Sequence, residues 1–492
     1  MTAAAATDAT SERMSRIDTA WLRMDTEANP MMIVGVWLLA PRLTLSELQQ
    51  RIEQGLLAYR RFRQTVVEDA SGANWVTDPA FDIGHHVRRD ALRTRRSESP
   101  LDALKCRVAE LAAEPLNRSR PLWQFHLIEN LDGEQSALVT RVHHCIGDGI
   151  ALISVMLSIA DGGKAPPRYE TRQPREPHDA HHEESDWLND TLIKPLADLA
   201  VKAIESAGRR VGKRLERLAH PKDPMSASLD AARMGLQLAA DVSALALMPD
   251  DSPTRLKGHA TPGKRVAWGE PLPLDAVKAV GKVLDASIND VLLSCVAGAI
   301  GDYLRSKGDD PAGQHIRAMV PVNLRPLDEA YKLGNRFGLV PLVLPIGIAN
   351  PIERLIEVRA RMAELKGSYQ PLLTMGVLAL SGLVVKPVQS AITGLFAKKA
   401  TAVMTNVPGP KEAIRFCGRT VKQVMFWVPQ SGDIGVGVSI LSYAGGVQFG
   451  LITDAKMCPD PEAVIEGFAP QFEKLLWLAL MAPWPGDARG NS

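Results

Sequence analysis

The sequence predicts two mixed α/β domains joined by a helical connector. Apolar, β-prone segments alternate with segments of helical period on both sides of a proline-rich and then basic stretch. A chain of 492 residues is long enough for about two to four domains, each with its own core. We place the domains at 13–165 and 261–492 and the connector at 166–260, after a small, polar and disordered stretch at 1–12.

In the first domain, each predicted strand is followed by a predicted helix. The apolar run at 31–39 is β-prone, and residues 43–62 have helical period, with Ser46 placed to cap the helix. Residues 136–144 (SALVTRVHH) indicate a strand, and residues 149–163 indicate a helix. A glycine-containing turn therefore joins a buried strand to a helix.

The connector differs in composition from both domains. Residues 164–185 are rich in proline and charge, which predicts a loop or flexible linker. Residues 186–220 return to helical period, and the stretch from 202 to 222 holds seven basic residues against two acidic ones. A second connector helix is predicted around 227–247.

The second domain repeats the alternation of the first. It begins with the strand KRVAW at 264–268, and the helical sequence NDVLLSCVAGAIGDYL follows at 289–304. The later apolar runs predict strands, namely MVPVNL, GLVPLVLPI, TAVMTN, GVGVSIL and VQFGLIT.

Composition excludes several classes of protein. Lysine and arginine total 57 against 56 acidic residues, so there is no global basic excess to bind a nucleic acid. The five cysteines are scattered and never form a CxxC pair, which fits a reducing cytoplasm better than a disulfide framework. No secretory signal begins the sequence, and the longest apolar run, 371–385, is too short to span about 30 Å of hydrocarbon.

The strongest chemical signal is HHCIGDG at residues 143–149, where the strand opens into the turn. An imidazole is the side chain whose ordinary pKa lets it accept and return a proton near neutral pH. Neighbouring side chains on a strand point to opposite faces, so only one of His143 and His144 can face a given cleft. Asp148, four residues after His144, can fold back to support the turn, and Gly149 allows the close approach that such a turn needs.

Three other interpretations of this motif remain open. A metal site would need a second group of ligands at metal spacing, and none is evident. A nucleophile pair of Cys145 with His144 would need two side chains that splay apart on a strand to meet. A histidine pair that only packs in the core is the third possibility, although the glycine turn at a strand end is a poor place for packing.

HHCIGDG resembles the HHxxxDG signature of the chloramphenicol-acetyltransferase-like superfamily. The rest of the chain resembles bacterial wax ester synthases/diacylglycerol acyltransferases, from about residue 15 to about residue 477. HHxxxDG alone is shared by many acyltransferases, whereas the ordered set of motifs is specific to this family. The segments that carry the resemblance are RFRQ from Arg61, FDIGHHVR, PLNRSRPLW, KRVAW, INDVLLSCVAGAI, VPVNLRP, GNRFG from Gly334 and NVPGP from Asn406.

The resemblance implies a pseudo-dimer of two acyltransferase-like domains with a tunnel between them. His144 would act as general base on an alcohol hydroxyl that attacks the thioester of acyl-CoA, without a covalent acyl-enzyme. Acyl-CoA would be a substrate, and neither a cofactor nor a metal is implied. The expected product is a wax ester, a triacylglycerol or both.

The resemblance also suggests roles for further residues. Arg63 would form a structural ion pair with Asp148. Asn289, next to Asp290, would supply a polar group near the reacting centre. The channel would be shaped by Trp123, Asn406 and Gly409, although PLW could equally be core packing and VPGP a rigid turn. Gln124 stands where the family often has an acidic residue, and we do not expect it to affect catalysis.

Hydrophobic substrates suggest an enzyme that works at a lipid surface. We expect it in the cytoplasm, associated with the inner face of the membrane or with lipid inclusions. The basic connector helix is the candidate for this contact, against the alternatives of an ordinary solvated helix or a contact with CoA phosphates. Two other functions stay open. One is a CoA-dependent acyltransferase of a specialised alcohol or polyketide, and the other is a non-catalytic lipid-droplet-binding protein.

Overall fold

A computed structural model describes residues 11–69, 72–93, 97–163, 249–323, 332–366 and 398–482. The predicted connector helices and the apolar run at 371–385 lie outside these residues. Within the described ranges, the strands form two large mixed sheets and one small sheet, as the predicted α/β class requires.

The first large sheet carries the HHCIGDG motif at the end of one of its central strands. Its order is β13–β14–β2–β7–β6–β5. Strands β2 and β7 are antiparallel, with Met32 opposite His143 and Leu39 opposite Ser136. The strands are β2 (Met32–Ala40), β5 (Val87–Arg89), β6 (Trp123–Ile128), β7 (Ser136–His143), β13 (Arg415–Phe416) and β14 (Arg419–Trp427).

Helices cover the two faces of this sheet, and side chains along β7 alternate between them. Val139 packs with Val108 of helix α3, whereas Val142 packs with Leu152 and Val155 of helix α4 on the opposite face. The helices of this part of the chain are α1 (Arg16–Met24), α2 (Leu45–Gln54), α3 (Pro100–Ala113) and α4 (Gly149–Ser158).

Strand β14 belongs to the C-terminal part of the chain but completes the first sheet. It pairs antiparallel with β2, from Val34 opposite Trp427 to Ala40 opposite Thr420. Trp427 is buried and its ring lies 5.8 Å from that of Trp268 in the second sheet. The range 261–492 therefore contributes strands to both sheets, and the sequence did not predict that β14 would join the first one.

The second large sheet has the order β11–β10–β12–β15–β16–β8, with β9 beside β16. Parallel pairs at β10–β12 and β12–β15 lie among antiparallel ones, which makes the sheet mixed. The strands are β8 (Lys264–Trp268), β9 (Leu272–Pro273), β10 (Ile316–Asn323), β11 (Phe337–Leu344), β12 (Ala402–Pro408), β15 (Val436–Tyr443) and β16 (Gly446–Asp454).

Four helices form one core with this sheet, and they are α5 (Leu274–Val283), α6 (Ile288–Ser306), α7 (Pro351–Lys366) and α8 (Glu462–Met481). Helix α6 is the most deeply buried, and a capping box of Ser287 and Asp290 satisfies its first backbone N–H groups. Within the described ranges, no single helix is long and apolar enough to cross a membrane. Helices α5 and α6 meet that test only as a pair, bent by 99°.

Two local predictions near the N-terminus are wrong. Helix α2 is capped by Thr44 rather than Ser46, because Thr44 and Glu47 form a reciprocal capping box that starts two residues earlier. Ser11 and Glu12, predicted to be disordered, belong to strand β1 (Ser11–Arg13), which joins β4 (Gly72–Thr77) and β3 (Gln64–Asp69) in the small sheet.

Candidate active site

The motif lies in the turn between β7 and α4, as the sequence predicts. Strand β7 ends at His143 and helix α4 begins at Gly149. Asp148 is the N-cap of α4, and its Oδ1 accepts the N–H of Ala151 at 2.9 Å. The carboxylate thus satisfies one of the free backbone donors at the start of the helix and fixes the end of the turn.

A loop from the second sheet clamps this turn. Gly334 donates its N–H to the Ile146 carbonyl at 3.0 Å, and its own carbonyl accepts the Asp148 N–H at 3.3 Å. The N–H of Arg336 reaches Asp148 Oδ2 at 3.1 Å. A side chain on Gly147 would press on Leu333, so the motif glycine permits this close approach of two backbones.

Asn335, the middle residue of this loop (334–336), connects the motif to helix α1. Its Nδ2 donates to the carbonyl of His144 at 2.7 Å and to Asp18 Oδ1 at 2.8 Å. Burial raises the pKa of the Asp18 carboxyl, against the opposing effect of its hydrogen bonds with Asn335 and Ser15. These bonds hold the backbone on both sides of the turn.

The His144 ring lies in an aromatic pocket. It stacks on Trp21, with ring centroids 4.1 Å apart and an interplanar angle of 14°, and its centroid is 5.5 Å from that of Phe337. The residue is 3% exposed, and its Nδ1 is buried without a hydrogen-bond partner in the described chain. Burial lowers the pKa of His144 from 6.5 to about 4, because the charged form is poorly solvated there. The ring is therefore a neutral base at physiological pH.

His143 faces the other side of the sheet, the side of helix α3. Its Nδ1 accepts the N–H of Cys145 at 3.1 Å, and its Nε2 lies 3.9 Å from Oδ2 of Asp25. Strand alternation predicts this division of the two histidines. The first histidine supports the turn, and the second presents its ring to the aromatic pocket.

An apolar cavity of about 80 Å³ opens beside the motif, between the first sheet and helix α4. Gly149 forms part of its wall, and a side chain there would meet no other atom within 4 Å. The C-terminal part of the chain closes the cavity through Gly409, Val424 and Leu441. Other lining residues are apolar or small, among them Ile33, Gly35, Phe62, Phe125, Thr140, Val142, Leu152, Ile153 and Met156.

The predicted ion pair of Arg63 with Asp148 is not formed. Arg63 is exposed and ends a short helical turn that leads into the small sheet. Asp148 is buried, and its two carboxylate oxygens accept backbone N–H groups from Ala151 and Arg336. The sequence gave no information on which hydrogen-bond donors the Asp148 carboxylate would meet in the folded chain.

Trp123 does not line the cavity. It is fully buried between Phe62, His86 and Phe125, and its Nε1 donates to the Phe62 carbonyl at 2.8 Å. Of the two interpretations of PLW, the structure shows core packing. Phe62 and Phe125, the rings that Trp123 supports, form part of the cavity wall.

The remaining predicted residues, Asn289, Asp290, Asn406 and Gly409, take different places in the structure. Asn289 and Asn406 meet, with Nδ2 of Asn406 donating to Oδ1 of Asn289 at 2.5 Å, so helix α6 and strand β12 bring these two motifs together. Asp290 serves the cap of α6. Gly409 lines the cavity, and a side chain there would clash with the Ser442 carbonyl.

The geometry also bears on the alternatives for the motif. No group of three or more potential metal-ligating side chains occurs in the ranges that the structure describes. Cys145 is fully buried, and burial raises the pKa of its thiol well above the ordinary value, which opposes formation of the nucleophilic thiolate. Neither a metal site nor a cysteine nucleophile is supported by these side chains.

Sequence reasoning missed four residues that form the surroundings of the histidines: Trp21, Asp25, Asn335 and Phe337. Asn335 and Phe337 lie in GNRFG, a motif that resembles the family but had no assigned role. Trp21 and Asp25 are more than a hundred positions from the motif and carry no local signal of their function.

Family models match most of the chain. The model described as the wax ester synthase/diacylglycerol acyltransferase catalytic domain matches residues 14–292, and the WS/DGAT C-terminal domain matches residues 333–476. A probable diacylglycerol O-acyltransferase of Mycobacterium tuberculosis is 28% identical over 440 residues, which cover 88% of this chain and 87% of that protein. A putative diacylglycerol O-acyltransferase of the same organism is 28% identical over 437 residues, covering 84% of each.

Solved structures share the fold at low identity. A wax ester synthase/diacylglycerol acyltransferase from Marinobacter aquaeolei VT8 matches with a TM-score of 0.64 and 20% identity, covering 94% of this chain and 98% of that one. The first condensation domain of the calcium-dependent antibiotic synthetase matches with a TM-score of 0.57 and 13% identity, covering 96% and 97%. These likenesses confirm the predicted two-domain acyltransferase-like architecture.

Replacing Asp148 with alanine should lower the free energy of unfolding by about 1–3 kcal/mol, because α4 loses its cap and two backbone N–H groups lose their acceptor. Urea denaturation measures this change. Ser99→Ala, which removes the cap of helix α3 far from the motif, is the matched control and should reduce stability while sparing activity. An Asp148→Ala variant as stable as the wild type would contradict the assigned structural role.

Proposed function

This chain belongs to the wax ester synthase/diacylglycerol acyltransferase family, and on that premise we propose that His144 is the general base for transfer of a long-chain acyl group from acyl-CoA to diacylglycerol or a fatty alcohol. The chain is an acyl-CoA-dependent acyltransferase. The names of its relatives favour diacylglycerol as the acceptor.

One combination carries the proposal: a single seven-residue segment holds a neutral, buried imidazole and part of the wall of an apolar cavity. A hydroxyl is a weak nucleophile, and base assistance typically contributes about 10²–10⁴-fold to the rate. A cavity wall without charge suits an alkyl chain, for which each buried methylene contributes about 0.8 kcal/mol. Both requirements of the reaction are thus served by residues of one short segment, His144 and Gly149.

In the proposed reaction, His144 takes the hydroxyl proton while the alcohol oxygen attacks the thioester carbonyl carbon. The tetrahedral intermediate then expels the CoA thiolate, which receives the same proton from the imidazolium. The lowered pKa of His144 serves both steps, since the ring is unprotonated at the start and its conjugate acid releases the proton readily. No acyl-enzyme forms. Asn289, paired with Asn406, remains the proposed polar group near the reacting carbonyl.

We also propose that the enzyme acts at a lipid surface, because the ester product and the acceptor are poorly soluble in water. The support is the sequence of the connector, which holds an excess of five positive charges between residues 202 and 222 (seven basic, two acidic). Cationic residues near an anionic leaflet contribute about 1 kcal/mol each.

The substitution His144→Ala should reduce transfer by at least about 100-fold while leaving the fold intact, because the hydroxyl loses its base. Radiolabelled acyl-CoA, incubated with dioleoylglycerol or hexadecanol and resolved by thin-layer chromatography, measures the product. His143→Ala should be less severe, since that ring supports the turn and does not face the aromatic pocket. Retention of more than about a tenth of the wild-type rate in His144→Ala would exclude a general base.

The pH dependence of kcat/KM is a second measurement of the same assignment. A base must be unprotonated, so activity should hold from pH 7 down to about pH 5 and fall as the pH drops through about 4. A solvent-exposed histidine base would instead lose activity near 6.5. Burial of His144 and His126 also makes the folded state less stable as the pH falls from 6.5 towards 4, so circular dichroism must verify folding at each pH.

Filling the apolar cavity should shift the preferred acyl length. Ile153→Trp narrows the cavity, and we expect kcat/KM for hexadecanoyl-CoA to fall about tenfold more than that for octanoyl-CoA, the equivalent of nearly two lost methylene sites. Ile356→Trp, at an exposed position of helix α7, is the control and should leave the ratio unchanged. An unchanged ratio in Ile153→Trp would place the acyl chain elsewhere.

Neutralising the connector should weaken binding to anionic vesicles, because each cationic residue near an anionic leaflet contributes about 1 kcal/mol of attraction that the substitution removes. Sedimentation with phosphatidylserine-rich and phosphatidylcholine vesicles measures the change, and activity on a short, water-soluble alcohol should survive. Equal sedimentation of the two proteins would remove the connector from the membrane contact. The five residues to be replaced with glutamine are Arg209, Arg210, Lys213, Arg214 and Arg217.

A further inference from the structure

We propose that Asp25 is a positioning residue for acyl transfer, which acts through His143 and the Met31 carbonyl to hold the turn that carries His144. This inference rests on the proposed role of His144 as base. It concerns a carboxylate at the end of helix α1, more than a hundred residues from the motif, that contacts neither the His144 ring nor the cavity wall.

The first connection runs through the backbone of Met31, the residue before strand β2. Oδ1 of Asp25 accepts the N–H of Met31 at 2.8 Å. The carbonyl of the same Met31 accepts the N–H of His144 at 2.7 Å. Two hydrogen bonds therefore link the carboxylate to the backbone of the proposed base.

The second connection runs through the ring of His143. Because Nδ1 of this ring accepts the Cys145 N–H, the proton of the neutral ring must lie on Nε2. Nε2 faces Oδ2 of Asp25 at 3.9 Å, so the negative charge of the carboxylate favours that tautomer. With the opposite tautomer, Nδ1–H would meet the Cys145 N–H, and two donors would face each other in the turn after His144.

The surroundings of Asp25 keep it charged and in place. Oδ2 accepts a hydrogen bond from Nη2 of Arg118 at 3.0 Å, and Arg118 also bonds to the Leu22 carbonyl and to Glu68. Burial would raise the pKa of Asp25, but His143, the Met31 N–H and Arg118 lower it to about 2. The group is a carboxylate throughout the working range of the enzyme.

The loop after Asp25 is also held from the second sheet. Oδ1 of Asn29 accepts a hydrogen bond from Nζ of Lys264 at 2.6 Å, and its Nδ2 donates to the carbonyl of Gly432 at 2.5 Å. Asn29 and Lys264 are both buried. The loop is thus anchored near its end, and Asp25 approaches His143 from a fixed backbone.

The substitution Asp25→Asn removes the negative charge of the side chain but keeps its size and shape. If the amide oxygen stays on the Met31 N–H, the amide nitrogen replaces Oδ2 and points a donor at Arg118 and at His143 Nε2–H. The ring then favours the tautomer that opposes the Cys145 N–H. Since a displacement of about 1 Å can cost about 100-fold in rate, we expect kcat to fall by about 10–100-fold. KM for acyl-CoA should change by less than about twofold, because no binding contact is lost.

The experiment compares Asp25→Asn, Asp25→Glu and Glu27→Gln with the wild type. Asp25→Glu retains the charge and should keep at least about a third of kcat, and Glu27→Gln, at an exposed position of the same loop, should be unaffected. Thermal unfolding accompanies each assay. Nitrogen-15 NMR of histidine-labelled protein, with the His143 signals identified by their loss in His143→Gln, reports which ring nitrogen carries the proton.

The outcomes distinguish this inference from the proposed function. A change of the His143 tautomer together with a fall of kcat in Asp25→Asn supports it. Unchanged kcat, an unchanged tautomer, or an equal loss in Asp25→Glu overturns it. If Asp25→Asn fails to fold, the tautomer and kcat of Asp25→Glu decide. Full activity of His144→Ala would refute the proposed base, whereas a dead His144→Ala beside a fully active Asp25→Asn would refute the positioning role alone.

Discussion

The site depends on hydrogen bonds between a turn in one part of the chain and a loop that belongs to another part. The turn between β7 and α4 holds the histidines, but its backbone is paired with Gly334–Arg336 from the second sheet. Buried backbone groups that lack a partner cost about as much as a lost hydrogen bond, so the turn cannot keep this shape without the clamp. The geometry of the turn is therefore a property of the assembled fold.

The cavity, like the turn, is formed by residues from two parts of the chain. The first sheet, including its strand β14, and helix α4 supply most of the wall, and the residues after β12 together with strand β15 close the rest. Because β14 is hydrogen-bonded into the first sheet and packs Trp427 against Trp268 of the second, the wall is held by both cores. The cavity is therefore lined by residues of both sheets.

The two adjacent histidines differ in the packing and the hydrogen bonds that surround their rings. His144 is stacked on Trp21 in an apolar environment, which lowers its pKa to about 4 and leaves a neutral ring whose Nδ1 has no hydrogen-bond partner among the residues that the structure describes. His143 faces a carboxylate and accepts a backbone N–H, which suits a supporting role. Strand alternation separates the rings, and the packing on each face then decides what each can do.

The sequence by itself determined the alternation of strands and helices, the turn with HHCIGDG and the family, because periodicity, turn residues and ordered motifs are local properties of the chain. It also determined that the two histidines face apart, since strand geometry requires this. Only the tertiary structure decided that Asp148 accepts the backbone N–H of Arg336 instead of pairing with the Arg63 side chain, that Trp123 packs behind the cavity, and that β14 crosses to the first sheet. The same holds for Trp21 and Asp25, because contacts between residues a hundred positions apart depend on how the elements pack, and no local pattern encodes that packing.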